Sequence, residues 1–174
     1  MLNTQILDKL HSDKAWFESL VKDKQTDFLY SPLSNDEWSL AQVIEHLVIV
    51  EQNLASLIAE SIGQDNNKTV RFNFKKYINK KIVFFILNNG IKVPVPTEAV
   101  YPNGSMNIEQ SFLAWNQIRV QLDQMSQKIN LNPEIANNFT FNHPRIGNLS
   151  AKETIEFIAV HLRYHLVRVS RLLA

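Results

Sequence analysis

Residues 150–173 read SAKETIEFIAVHLRYHLVRVSRLL, and this stretch decides the fold. Ser150 followed three residues later by Glu153 is a capping box. The serine hydroxyl accepts from an otherwise orphan amide of the first turn, and the glutamate reaches back to the serine N–H. Neither proline nor glycine follows, and Ile155, Ile158, Ala159, Leu162 and Val169 recur at helical spacing. The stretch is therefore a long amphipathic helix. It carries His161 and His165 four residues apart, which stacks both imidazoles on one face, one turn above the other. Two histidines so placed can converge on one metal ion, as on the zinc-protease helix, although the glutamate of that motif is missing. A third ligand has to come from elsewhere in the chain.

Three more amphipathic segments precede this one. Asn3 to about Lys24 carries Ile6, Leu7, Leu10, Phe17, Leu20 and Val21 as an apolar stripe, with His11 on its polar flank as a solvated histidine. A second helix begins at Ser39, which makes a capping box with Gln42. It runs through Leu40, Val43, Ile44, Leu47, Val50, Leu54, Leu57 and Ile58 until Gly63 and Asp65 to Asn67 end it. A third runs from about Asn107 to Lys128 through Ile108, Phe112, Trp115, Ile118, Leu122 and Met125. Asp27 to Glu37, with Pro32, reads as a connection. So does Leu131 to Leu149, with Pro133, Pro144 and Gly147 and with His143 in its turn. Four long helices without a strand pair predict an all-α protein, an antiparallel four-helix bundle. It forms a single domain over residues 1–174, with long connections between helices two and three and between three and four.

Bulk properties narrow the function. The charged fraction of 20% and apolar fraction of 45% are those of an ordinary globular domain, and the longest apolar run, Ile82 to Leu87, is far too short for a membrane span. The first ten residues lack the basic-then-apolar layout of a signal peptide. The absence of cysteine excludes disulfides, thiol nucleophiles and thiolate ligands, and suits the cytoplasm. Any transition-metal site must then use histidine, carboxylate and water. A net charge of +1 excludes nucleic-acid binding by bulk charge.

The charge is unevenly placed. Residues 66–97 hold seven Lys and Arg and no acid. Within them Phe72 to Leu87 reads as a short helix or, at Ile82 to Leu87, a buried extended piece. Pro94, Pro96, Pro102, Gly90 and Gly104 then exclude a long regular element, and a connection of this length suggests a lid. Aromatics interleaved with lysines from Phe72 to Lys81 faintly suggest a single-strand nucleic-acid surface. The plainer expectation is aromatics packed on the bundle with the lysines left in water.

The third histidine lies in the second helix. His46 falls within its core stripe, roughly 60° from Val43 and 40° from Val50. A histidine there is either a neutral core residue with a hydrogen-bond partner or a ligand. If the bundle brings the two faces together, His46, His161 and His165 form a three-histidine site with open positions, the arrangement of catalytic rather than structural zinc. Unperturbed imidazoles would lose such an ion below about pH 6.

The segment from Trp38 to Leu47 (WSLAQVIEHL), the segment from Gly147 to Glu153 (GNLSAKE) and the HLRYH of residues 161–165 together resemble the DinB-like metal-binding helical bundles, the DinB/YfiT superfamily. The resemblance spans the chain from the second helix to the C-terminus. It implies that His46, His161 and His165 bind a divalent ion, zinc or nickel, with His11 and His143 outside the pattern. It also implies a small-molecule substrate, either with a low-molecular-weight thiol in S-transfer or with water in hydrolysis, and no DNA chemistry. Many members have glutamine three residues after the last histidine, where this chain has Arg168. Arg168 is read as a fork for an anionic part of the substrate, with a solvent-facing arginine near the helix end as the plainer alternative. Glu45 and Glu153 are read as surface and cap residues, which leaves the histidine face without a carboxylate base and favours thiol over water. The competing readings are a non-catalytic metal-binding or stress protein and a bundle whose histidines are only structural. Phe112, Trp115 and the aromatics of residues 72–85 exceed what one core requires, and DinB-like relatives commonly pair, so a homodimer is expected.

Overall fold

The computed structural model of the chain describes residues 4–63, 68–94 and 98–174. Six α-helices are found among them: α1 (Thr4–Val21), α2 (Thr26–Tyr30), α3 (Leu40–Gly63), α4 (Phe74–Asn88), α5 (Ile108–Leu131) and α6 (Ala151–Leu172). The long helices α1, α3, α5 and α6 form the bundle: α3 packs on α5 and α6, and α1 packs on α6 and α5. The helix starts follow the capping residues. Ser39 and Gln42, Asn107 and Gln110, and Ser150 and Glu153 each exchange reciprocal hydrogen bonds. Asn3, where the first helix is predicted to begin, lies outside the described residues.

Between the bundle helices sits one apolar core. Phe17 and Trp115 are fully covered, with ring centroids 5.9 Å apart, and Ile44, Leu47, Ile58, Ile118, Leu122 and Ile155 pack around them. The core also encloses Glu51, which accepts hydrogen bonds from the Trp115 indole at 2.8 Å and from Arg119 at 2.9 Å.

The connections depart from the sequence-based expectation in four places. Part of the first connection is helical, as α2. The connection between α5 and α6 holds a β-hairpin, β1 (Phe139–His143) paired antiparallel with β2 (Gly147–Ser150). The aromatic–polar alternation of Phe139 to Asn142 explains it: the turn over Pro144 to Ile146 closes on Gly147, whose φ of +95° suits glycine. Residues 68–70 run beside residues 137–139, with Phe139 N–H donating to the Lys68 carbonyl at 2.6 Å.

The third departure is at α4, which takes the helical of the two forms expected there but with its faces inverted. Phe72, Phe74 and Phe85 are 81%, 69% and 65% exposed, and Ile78 and Ile82 also face outward. Lys76 and Lys80 are the inward lysines, while Lys75 and Lys81 are exposed. Lys76 is paired with Glu153, and Lys80 lies 3.2 Å from Glu153 and 3.1 Å from Glu156, so α4 is clipped to α6 by charge as well as by Val83 and Leu87. The fourth departure is Glu45, which is buried rather than superficial.

Candidate metal centre

His46 projects from α3, and His161 and His165 project from α6, so the packing of those two helices decides whether the site exists. It does bring them together. The ring centroids lie 5.3 Å (His46–His161), 4.9 Å (His46–His165) and 4.8 Å (His161–His165) apart, and one nitrogen of each ring lies within 4.8 Å of the others. His11 stands apart, exposed and 3.1 Å from Asp123.

Each ring is held in a form able to ligate. His46 Nδ1 donates to the Val100 carbonyl at 2.6 Å, which fixes the tautomer and leaves the Nε2 lone pair free. Among the described residues no protein group hydrogen-bonds to the ring nitrogens of His161 or His165. All three rings are held neutral below their ordinary range. Burial lowers His46 against the pull of the Val100 carbonyl. Burial, then His46 and His143, takes His161 to about 3. Burial, then His161, His46 and Arg168, takes His165 well below the ordinary range. Three buried lone pairs without protons fit a cation, and together the three side chains are able to hold one metal ion. The pH at which protons compete for them accordingly moves below the value near 6 expected of free imidazoles.

A cavity of about 830 Å³ opens beside the cluster. Trp38 packs against His46 at 4.9 Å and meets Tyr101 edge-on at 6.0 Å, while Phe157 stacks on His161 at 5.8 Å. Described residues of the connection after α4 form one wall. The Val93 N–H donates to the Tyr164 hydroxyl at 3.4 Å, Val100 holds His46, and Tyr101 and Pro102 line the space. Glu45, next to His46, anchors the far end of that wall by accepting from the amides of Gly104 (3.0 Å), Ser105 (2.9 Å) and Met106 (3.3 Å) and from the Ser105 hydroxyl (3.1 Å). Its amino-acid type gave no sign of this, because the partners are backbone groups about sixty residues away.

Arg168 also lines the cavity. Its guanidinium donates to Glu37 at 2.6 Å and lies over the Tyr164 ring at 5.8 Å. Lys92 reaches the same Glu37 oxygen at 2.8 Å. Burial alone would raise the Glu37 carboxyl, but the hydrogen bonds and charges of Arg168 and Lys92 together hold it below the ordinary range. His143 is the last residue of β1, paired with Gly147, so it flanks the turn rather than lying in it, and its ring is on the cavity wall, 4.9 Å from Phe157. Burial, then Arg145, brings it down to about 4.

An all-helical bundle core with three histidines converging from two of its helices defines a class of internal-site helical-bundle proteins. Within that class the chain belongs to the DinB superfamily, which it matches over residues 10–167. The fold is similar to the crystal structure of TT2238, described as a four-helix bundle protein. The TM-score is 0.57 at 15% identity, over 97% of each chain. No curated protein matches the sequence. Among the described residues no helix is long and apolar enough to cross a membrane.

Proposed function

We propose that the protein is a metal-dependent enzyme in which His46, His161 and His165 hold one divalent ion, zinc or nickel. The adjoining cavity receives a small-molecule substrate with a low-molecular-weight thiol or water, in S-transfer or hydrolysis. The observation that carries this reading is the convergence of three neutral imidazoles in the wall of a cavity large enough for such a substrate. With three protein ligands and an open position, the ion would lower the pKa of a thiol or water.

The chain's own groups do the rest. Val100 orients His46, and Trp38 and Phe157 pack against the His46 and His161 rings. Arg168, Lys92 and Arg145 line the cavity against Asp36 and Glu37, so one positive charge is left in excess. That excess favours an anionic group on the substrate, with Arg168 as its fork. Glu37 is occupied by Arg168 and Lys92, so a carboxylate base is poorly supplied and a thiol is favoured over water. The same scarcity favours a second reading, a non-catalytic metal-binding or stress-response protein. The cysteine-free composition suits the cytoplasm as the proposed compartment, and the exposed aromatic face of α4 supports a homodimer in which a second copy covers it.

Elemental analysis of protein purified without a His-tag or added metal tests the site. One divalent ion per chain is expected in the wild type and none in His161→Ala, and equal content in the two would refute it. Turnover of a model electrophile with and without a small thiol then separates enzyme from binding protein, and sulfur from water.

A further inference from the structure

His143 lines the cavity but has no role in the site as read so far, and two hydrogen bonds determine its chemistry. Its Nδ1 accepts the backbone N–H groups of Arg145 and Ile146, each at 3.2 Å. An amide N–H can only donate, so Nδ1 carries no hydrogen and the neutral ring carries its hydrogen on Nε2. The two nitrogens flank Cε1, so engaging Nδ1 in the turn directs Nε2–H away from it. Among the described residues no protein acceptor takes that hydrogen. The ring is edge-on to Phe157 at 4.9 Å with an interplanar angle of 65°, and Phe157 in turn stacks on His161 at 5.8 Å and 24°. The cavity wall thus carries, on either side of one phenyl ring, an imidazole cluster offering lone pairs and an imidazole offering a fixed N–H.

We propose that His143 is a ligand-binding residue whose Nε2–H donates to an oxygen acceptor on a molecule that reaches the three-histidine cluster with its other end. The ligand class that satisfies both ends is a short thiol bearing a carbonyl or carboxylate a few atoms from sulfur. Sulfur goes to the cluster, and the oxygen goes to His143. A donor that is neutral and fixed in direction selects for the position of an acceptor rather than for charge, which separates its role from that of Arg168. This inference rests on reading the cluster as a metal site.

The test is thiol binding to cobalt-loaded protein, followed by the thiolate-to-metal absorption band. The probes are ethanethiol and mercapto-amides with one to four methylenes between sulfur and carbonyl, and the variant is His143→Asn. Asparagine keeps an acceptor for the turn amides but has no N–H at the position of Nε2. For the amide of fitting length the variant is expected to lose roughly 3- to 10-fold in affinity, with ethanethiol and cobalt affinity unchanged. Equal affinities of the two proteins for every amide would overturn the role of His143. Absence of a cobalt site would instead overturn the metal reading beneath it. Nitrogen-15 spectra of the wild-type imidazoles require no variant. A ring protonated on Nε2, shifting when the amide is added, is expected, and a ring protonated on Nδ1 would refute the proposal.

Discussion

α6 and α4 are both amphipathic helices with aromatic and basic residues, and they resolve that pattern in opposite ways. α6 turns its apolar stripe and its histidines inward, and Arg168 reaches a carboxylate at the cavity edge. α4 turns Phe74, Ile78, Ile82 and Phe85 outward and presents Lys76 and Lys80 to its neighbour. The reason lies on α6, where Glu153 and Glu156 offer half-covered carboxylates to whatever packs there. Periodicity shows that a helix has two unlike faces. The chemistry of the surface it meets decides which one is covered.

The largest test of this contrast is acid. Each histidine of the cluster is depressed in the folded state, so the unfolded chain binds more protons once the pH falls below about 6.5. Their contribution is fully present above that value and is lost as the pH falls toward about 3 for His161. Metal-free protein should therefore lose roughly 1.4 kcal/mol per pH unit on account of His161 between about pH 6 and 4, with His46 and His165 acting in the same direction. Urea unfolding at several pH values should show a shallower slope for His161→Leu, and metal content should persist to lower pH than free imidazole allows.

A smaller effect is expected at the cavity wall. Glu45→Ala leaves the amides of residues 104–106 without their acceptor and should destabilise by about 1–3 kcal/mol in urea unfolding. Smallest in stability is the outer face of α4. Phe74→Ser with Phe85→Ser should change unfolding free energy by no more than ~0.5 kcal/mol per site. Light scattering at micromolar concentration should nevertheless find the mass of the wild type halved in the double variant. A wild-type monomer would remove self-association as the reason for the inverted face.

The bundle was legible because its signals are local. Capping pairs at Ser39 and Ser150 and stripes at helical spacing fix where the helices start and which faces they bury. His161 and His165 were legible as a pair for the same reason, whereas His46 required the packing of α3 on α6 to become their neighbour. What stayed hidden depends on distant backbone. The Val100 carbonyl that orients His46 and the amides that bury Glu45 leave no trace in residue type. The hairpin was within reach, since Phe139 to Asn142 alternates, but proline and glycine on either side made it read as loop. The side-chain role of His143 followed only from its turn amides.

Glu45 and His46 are adjacent on α3 and hold opposite ends of one stretch, Gly104 to Met106 and Val100. The wall of the cavity is thus measured from α3, as a span of chain between two pegs, and not from the ends of the helices it connects. One residue inserted between Val100 and Gly104 cannot be absorbed with both pegs engaged: either the carbonyl leaves His46 or the amides leave Glu45. The length of that short span is therefore a property of the histidine site itself, although no ligand lies within it.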